Sequence, residues 1–248
     1  QGRIGEDRMT DAKTPPPEID SDDPVLDGEV LAHDDEGRLK SRAHFTSGRL
    51  EGKHTGYFDA GGVEQHNQFG NDLLNGPSRF YDEDGSLLME ATFLNGKPHG
   101  PMTVYEEGKR QARFGYVNGL RDGEAVFYNL KTGQISGVEH YKADKKDGKA
   151  AWFDEEGRIV SEAEYRADKL HGEKIDYYPS GAVMQRAFYR NDLLDGTAIG
   201  YFENGRVREK KEYRAGKQIG ETQEFQKNWK KKTPEDFLKF DMGGSTPG

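Results

Sequence analysis

The chain has 248 residues, of which 32% are hydrophobic and 33% charged, with a net charge of −9 and no cysteine. That polarity excludes a thick single core, and the missing cysteine excludes disulfides and thiolate metal sites. With no basic stripe and no run of about eighteen apolar residues, neither the footprint of a nucleic-acid binder nor a membrane-crossing helix is present.

Residues 1–27 read as a disordered acidic, proline-rich leader. They hold eight acids against three bases, include Pro15-Pro16-Pro17, and show no apolar periodicity. From Gly28 onward a glycine recurs at Gly52, Gly76, Gly100, Gly123, Gly148, Gly172, Gly196 and Gly220, at spacings of 24, 24, 24, 23, 25, 24, 24 and 24. Five positions after each stands an aromatic, Tyr57, Tyr81, Tyr105, Tyr128, Phe153, Tyr177, Tyr201 and Phe225, with His33 in that place in the first unit. A second series runs Phe45, Phe69, Phe93, Tyr116, Tyr141, Tyr165, Tyr189 and Tyr213. Self-similarity at a period of this size means a repeat array, here over residues 28–227.

Each unit reads as a β-hairpin, two extended runs joined at a glycine turn such as Asp84-Gly85, Glu156-Gly157 or Asn204-Gly205. A second set of turns, Asn95-Gly96, Asn118-Gly119 and Ala215-Gly216, joins one hairpin to the next. Asp72, Asp144, Asp168 and Asp192 take the glycine place elsewhere, and aspartate tolerates the left-handed region better than most residues. The spacings of 23 and 25 come from a tip shortened at Glu106-Glu107-Gly108 and one lengthened at Asn129–Gly133. About sixteen strands at ~4.8 Å would extend for roughly 75 Å as a rod or arc. Residues 228–248 are expected to hold a cap: Thr233-Pro234-Glu235-Asp236 is a helix-start signature, predicting a short helix over 234–240.

The segments Phe93-Leu-Asn-Gly96-Lys-Pro-His-Gly100, Tyr165-Arg-Ala-Asp168-Lys-Leu-His-Gly172 and Tyr189-Arg-Asn-Asp192-Leu-Leu-Asp-Gly196 resemble the MORN repeat, in the variant found in the YwqK family of antitoxins. The resemblance implies a single-layer array of β-hairpins. The expected fold is therefore all-β, an elongated array of about eight 24-residue units with the short C-terminal helix read above as its cap. It also implies a non-enzymatic binding role. Similar proteins serve as immunity proteins for type VI secretion effectors, phospholipases among them, and several are periplasmic lipoproteins. A cognate toxin is then the expected partner, and the periplasm the expected compartment, with a lipid anchor upstream of Gln1; the cytoplasm is the alternative. A scaffold that binds phospholipid headgroups or assembles other proteins is the alternative function.

Alternation along a strand sends the aromatics at the fifth position to one face and those at the fourth and sixth to the other. The fifth-position series reads as the buried spine. The opposite side carries Phe58, Phe80, Val104, Phe127, Trp152, Tyr178 and Phe202. Two accounts of that second stripe stay open: curling of the ribbon buries it, or it binds a partner. On the second account Phe58, Phe80, Phe127, Trp152, Tyr178 and Phe202 are the partner-binding residues. No catalytic residue, cofactor or metal is expected. His99 and His171 fall three units apart, and the remaining histidines have no ligand spacing.

Overall fold

The computed structural model describes residues 26–226, so the leader up to residue 25 and the expected capping helix lie outside the described residues. Within them every regular element is a strand. Twenty strands, from Gly28–His33 to Lys217–Glu224, form one open sheet. Each strand pairs antiparallel with its sequence neighbour, as where Gly148–Phe153 meets Ile159–Arg166 and that strand meets Lys169–Tyr177. Leu73–Leu74, Lys145–Lys146 and Leu193–Leu194 are two-residue pieces that lead into the strands opened by Gly76, Gly148 and Gly196. The hairpin array expected from the period is the observed architecture.

The ladder skips at each repeat glycine. Ala163 faces Lys174 while Tyr165 faces Leu170, so two residues on one strand are matched by four on the other. Gly172 sits in that bulge with φ +126, and a Cβ there would lie 2.9 Å from the Cβ of Glu164. Backbone conformation and crowding both demand glycine, which is why the period is anchored on it. A second shift falls one step before the fifth-position aromatic, for example between Trp152 and Phe153. The first unit, where His33 replaces the aromatic, keeps the same shift between Ala32 and His33.

The turns between hairpins carry positive φ at both central residues, as in Asn95 (50) with Gly96 (76) and Ala167 (48) with Asp168 (69). This is the type I′ geometry that matches strand twist. Aspartate does more there than tolerate the conformation. The Oδ1 atoms of Asp72, Asp144, Asp168 and Asp192 accept the backbone N–H of Leu50, Arg121, Lys146 and Leu170 at 2.7, 2.9, 2.8 and 2.9 Å. Each aspartate thereby ties its turn to the preceding unit. Gly119 stands over Pro98, whose missing N–H would leave an aspartate nothing to accept. The residue before most of the repeat glycines adds a second tie: Asp147 accepts from the Ala167 N–H at 3.2 Å and His99 Nδ1 from that of Asn118 at 3.4 Å. Asp168→Gly keeps the backbone geometry and loses one such acceptor. It is expected to cost about 1 kcal/mol and to speed exchange of the Lys146 amide several-fold, while Asp168→Asn retains the protection; hydrogen exchange read at that amide tests both.

One face of the sheet is buried although the described residues supply no second layer. Met89, Met102, Val104 and Ala112 are 1% exposed or less, and with Phe93, Phe114, Tyr116 and Tyr141 they form the main cluster. A smaller cluster holds Ala43, Phe45 and Leu50. In one sheet such burial requires the ribbon to curl over its own inner face. This reverses the sequence reading of the two faces. Buried Val104, at the fourth position, shares the inner face with the second aromatic series, whereas the fifth-position aromatics from Tyr57 to Tyr201 are half-buried on the other side and Phe225 is exposed. The hydroxyl of Tyr105 donates to Glu90 at 2.9 Å and that of Tyr177 to Glu162 at 2.5 Å, both acids alternating with buried Met89, Ala91 and Ala163. The tyrosines lie across the outer surface and keep their polar ends wet. Desolvation and the neighbouring carboxylate raise both phenols, Tyr177 to about 12.

Candidate interaction surface

The six aromatics proposed as contacts fall into two structural groups. Phe58, Tyr178 and Phe202 open the hairpin tips, their N–H groups donating to Gly62, Ala182 and Arg206 oxygens at 2.8 Å each. Asp34, Asp82 and Asp154 occupy the same place in other units, where their Oδ1 atoms accept the N–H of Arg38, Ser86 and Arg158. The sixth position is thus a tip-closing place filled either by a cap or by a ring. Tyr178 also donates its hydroxyl to the Tyr201 oxygen at 2.8 Å, locking one tip to the next unit.

Phe80, Phe127 and Trp152 lie deeper. Phe80 and Phe127 pack against the main cluster, Phe127 edge-on to Phe114 with centroids 5.8 Å apart. Trp152 stands edge-on to Tyr165 at 6.5 Å. All six are half-buried. The structure does not bring them into one stripe, because Asp82, Glu106, Asn129 and Asp154 interrupt the row of tips.

On the outer face a groove of about 370 Å³ runs over Val138, Ala151 and Ile175 and is flanked by His140, Glu162 and Glu164. His140 Nδ1 bonds the Lys149 oxygen at 2.9 Å, and Glu173 beside it pairs with Arg186 at 3.0 Å. Among the described residues no group of three or more histidines and carboxylates could hold a metal ion. None of their helices could cross a membrane, since all their regular elements are strands.

The edge formed by the type I′ turns was not singled out in the sequence. Leu73, Leu94, Val117 and Leu120 are 43–48% exposed along it in the N-terminal units. In three of the C-terminal units the same places hold Lys142 opposite Lys145, Arg166 opposite Lys169 and Arg214 opposite Lys217, while a fourth keeps exposed Leu193 opposite Arg190. The signal was readable, since a cation flanks each of these turn dipeptides on both sides.

Comparison with known proteins bears on the units themselves. The family model described as "MORN repeat variant" matches residues 74–95, 170–191 and 194–215, each ending on the first central residue of a type I′ turn. No curated protein matches the chain. Among solved structures, the crystal structure of TarM is 13% identical, covering 38% of this chain and 20% of that one with a TM-score of 0.27. A GtfA/B complex bound to UDP and GlcNAc is 18% identical (44% and 22% covered, TM-score 0.19), and a TcdB2-TccC3-Cdc42 structure is 12% identical (74% and 12% covered, TM-score 0.22). The chain therefore spans less than a quarter of each of those chains. Three of the hairpin units thus match the MORN repeat variant, within a period that runs through the described sheet.

Proposed function

We propose that this chain is a non-enzymatic immunity protein that neutralises a secreted bacterial toxin, a lipase or phospholipase effector by the family resemblance, by covering it. The observation that carries the binding role is the fold itself. One continuous sheet of twenty strands, stitched from unit to unit by turn aspartates, presents a long preformed surface. A preformed surface of that extent can bury the area that tight inhibition needs without an ordering cost. The half-buried tip aromatics Phe58, Tyr178 and Phe202 supply rings that deepen a contact, and Phe80, Phe127 and Trp152 brace the sheet.

The test is capture of the full chain with its bound partner from its native bacterial extract, followed by identification of the partner by mass. A stoichiometric protein whose toxicity the chain suppresses supports the reading, with Tyr178→Ala plus Phe202→Ala expected to weaken the complex at least tenfold. Phospholipid recovered in place of a protein overturns it in favour of a lipid-binding scaffold.

A further inference from the structure

The basic rim has no structural reason to exist. Lys142 and Lys145, Arg166 and Lys169, and Arg214 and Lys217 are cross-strand partners at the mouths of three type I′ turns. Like charges placed directly opposite one another weaken a sheet, and the N-terminal units avoid them, with Leu94 facing Lys97 and Val117 facing Leu120. All six side chains are exposed, and none joins an ion pair among the described residues. Neighbouring cations do have partners: Arg121 pairs with Asp144 at 3.2 Å, Lys146 with Glu139 at 2.6 Å and Arg190 with Asp195 at 2.8 Å. Rim carboxylates are present, yet Asp144, Asp168 and Asp192 accept backbone N–H groups of the preceding unit, and Asp147 and Asp195 those of the next turn. A repeated, uncompensated arrangement of this kind is explained by something that binds it.

We propose that this rim is the docking line for an acidic segment of a protein partner, carrying carboxylates on one face at intervals of about 10 Å. The proposal rests on the protein-binding reading above and names the partner's chemistry. Successive units are two strands apart, about 10 Å. The cationic pairs occupy the first, second and fourth of four successive units, with Arg190 opposite Leu193 in the third, so they fall on multiples of that spacing. An α-helix with acids seven residues apart repeats one face every ~10.5 Å, and a polyproline II segment with acids three apart every ~9.3 Å. A continuous polyanion fits worse. Duplex DNA presents a charge about every 1.7 Å and would press phosphates onto Asp144, Asp168 and Asp192 as well as onto the cations. A flat anionic bilayer meets the same carboxylates. Discrete carboxylates at the unit spacing can touch the cations and miss the aspartates.

The probe is a labelled helical peptide of about 22 residues with glutamates every seventh position, against a scrambled peptide of equal composition. Binding to the full chain is read by fluorescence anisotropy at low and high salt. The spaced peptide is expected to bind about tenfold more tightly than the scrambled one, to weaken steeply with salt, and to be lost with Lys145→Glu, Lys169→Glu and Lys217→Glu combined. The variant's circular dichroism should match the parent, and Lys→Gln at the same places is the milder second variant. Equal binding of the two peptides, or binding that survives in either variant, overturns the proposal. So does binding to phosphatidylserine vesicles that the substitutions abolish when the peptide does not bind. The two readings separate in the capture experiment. A toxin still held by the charge-reversed chain sinks the rim alone, whereas no protein partner for the parent chain sinks the immunity reading.

Discussion

Lys146→Leu is expected to destabilise the array by about 2–4 kcal/mol, and Glu139→Ala introduced beside it to restore most of that loss. Glu139 is 6% exposed on the inner face. Its carboxylate accepts from Lys146 Nζ at 2.6 Å and from the Tyr141 hydroxyl at 2.7 Å, while the ammonium lies 5.3 Å from the centre of the Tyr165 ring. With leucine at 146 the carboxylate stays buried with one neutral donor, which is the costly half of breaking a buried pair. The array itself shows what the double variant becomes. Two residues before the repeat glycine five other units carry Leu26, Leu50, Leu74, Leu170 and Leu194, and at the place of Glu139 four carry Ala43, Ala91, Ala163 and Ala187. Alanine with leucine is therefore a combination this sheet already packs, at Ala163 with Leu170. A residual loss of about 1 kcal/mol is expected from the Tyr141 hydroxyl, which loses its acceptor. Urea titration of the parent, the two single variants and the double variant closes the cycle. Additive losses would show that the two side chains act independently and would remove the argument.

The period made the hairpins legible because its glycines share one local cause, positive φ, joined at Gly76, Gly148, Gly172 and Gly196 by a neighbour's side chain lying over the Cα. The turns were legible for the same reason, and aspartate in place of glycine at 72, 144, 168 and 192 kept the left-handed conformation. What that reading missed is lateral. The N–H groups accepted by those carboxylates sit 22 or 23 residues away, a distance that alternation along one strand cannot express. The two faces were assigned the wrong way round for a related reason. Aromatics at the fifth position look like a core stripe, yet a register shift immediately before them sets their rings across the outer surface. The second series, Phe45 through Tyr213, lies on the face that curls inward.

The proposed contact residues were only partly legible. Fourth- and sixth-position rings share a face by alternation, but a tip closed at Tyr178 and a ring packed in the cluster at Phe127 are different environments. The rim cations flank three of the turns at one edge, so their proximity follows only once the type I′ turns align the units. In sequence they are ordinary lysines and arginines beside turns.

The sheet is expected to lose about 3 kcal/mol of stability as the pH falls from 7 to 4, and His54→Met to remove that slope. His54 is 1% exposed, and neither ring nitrogen has a hydrogen-bond partner. Its ring stands edge-on to Phe69 at 5.7 Å, and its cross-strand neighbours are Ala43 and Asn67. Desolvation lowers its pKa from 6.5 to about 4, because nothing nearby replaces the water an imidazolium would need. The sign follows from which state takes the proton. Above pH 6.5 both states are neutral at this residue and its full contribution is present. Between 6.5 and 4 the unfolded chain binds a proton that the folded chain refuses, so stability drains away as the pH falls, and below 4 the loss levels off. The difference between the two values converts to about 3 kcal/mol. Met102 holds the equivalent place two units on and is equally buried, so methionine at 54 is a side chain that this row of the sheet accommodates. At pH 7 the variant should match or exceed the parent, since two orphaned nitrogens are exchanged for apolar atoms. Urea midpoints measured for both proteins from pH 7 to pH 5 decide the matter, and parallel curves would exclude His54 as the cause. Because units in such an array contact only their neighbours, the acid-induced opening should begin at the N-terminal hairpins and leave the cluster around Val104 protected. Hydrogen exchange that loosened both regions together would count against that local origin.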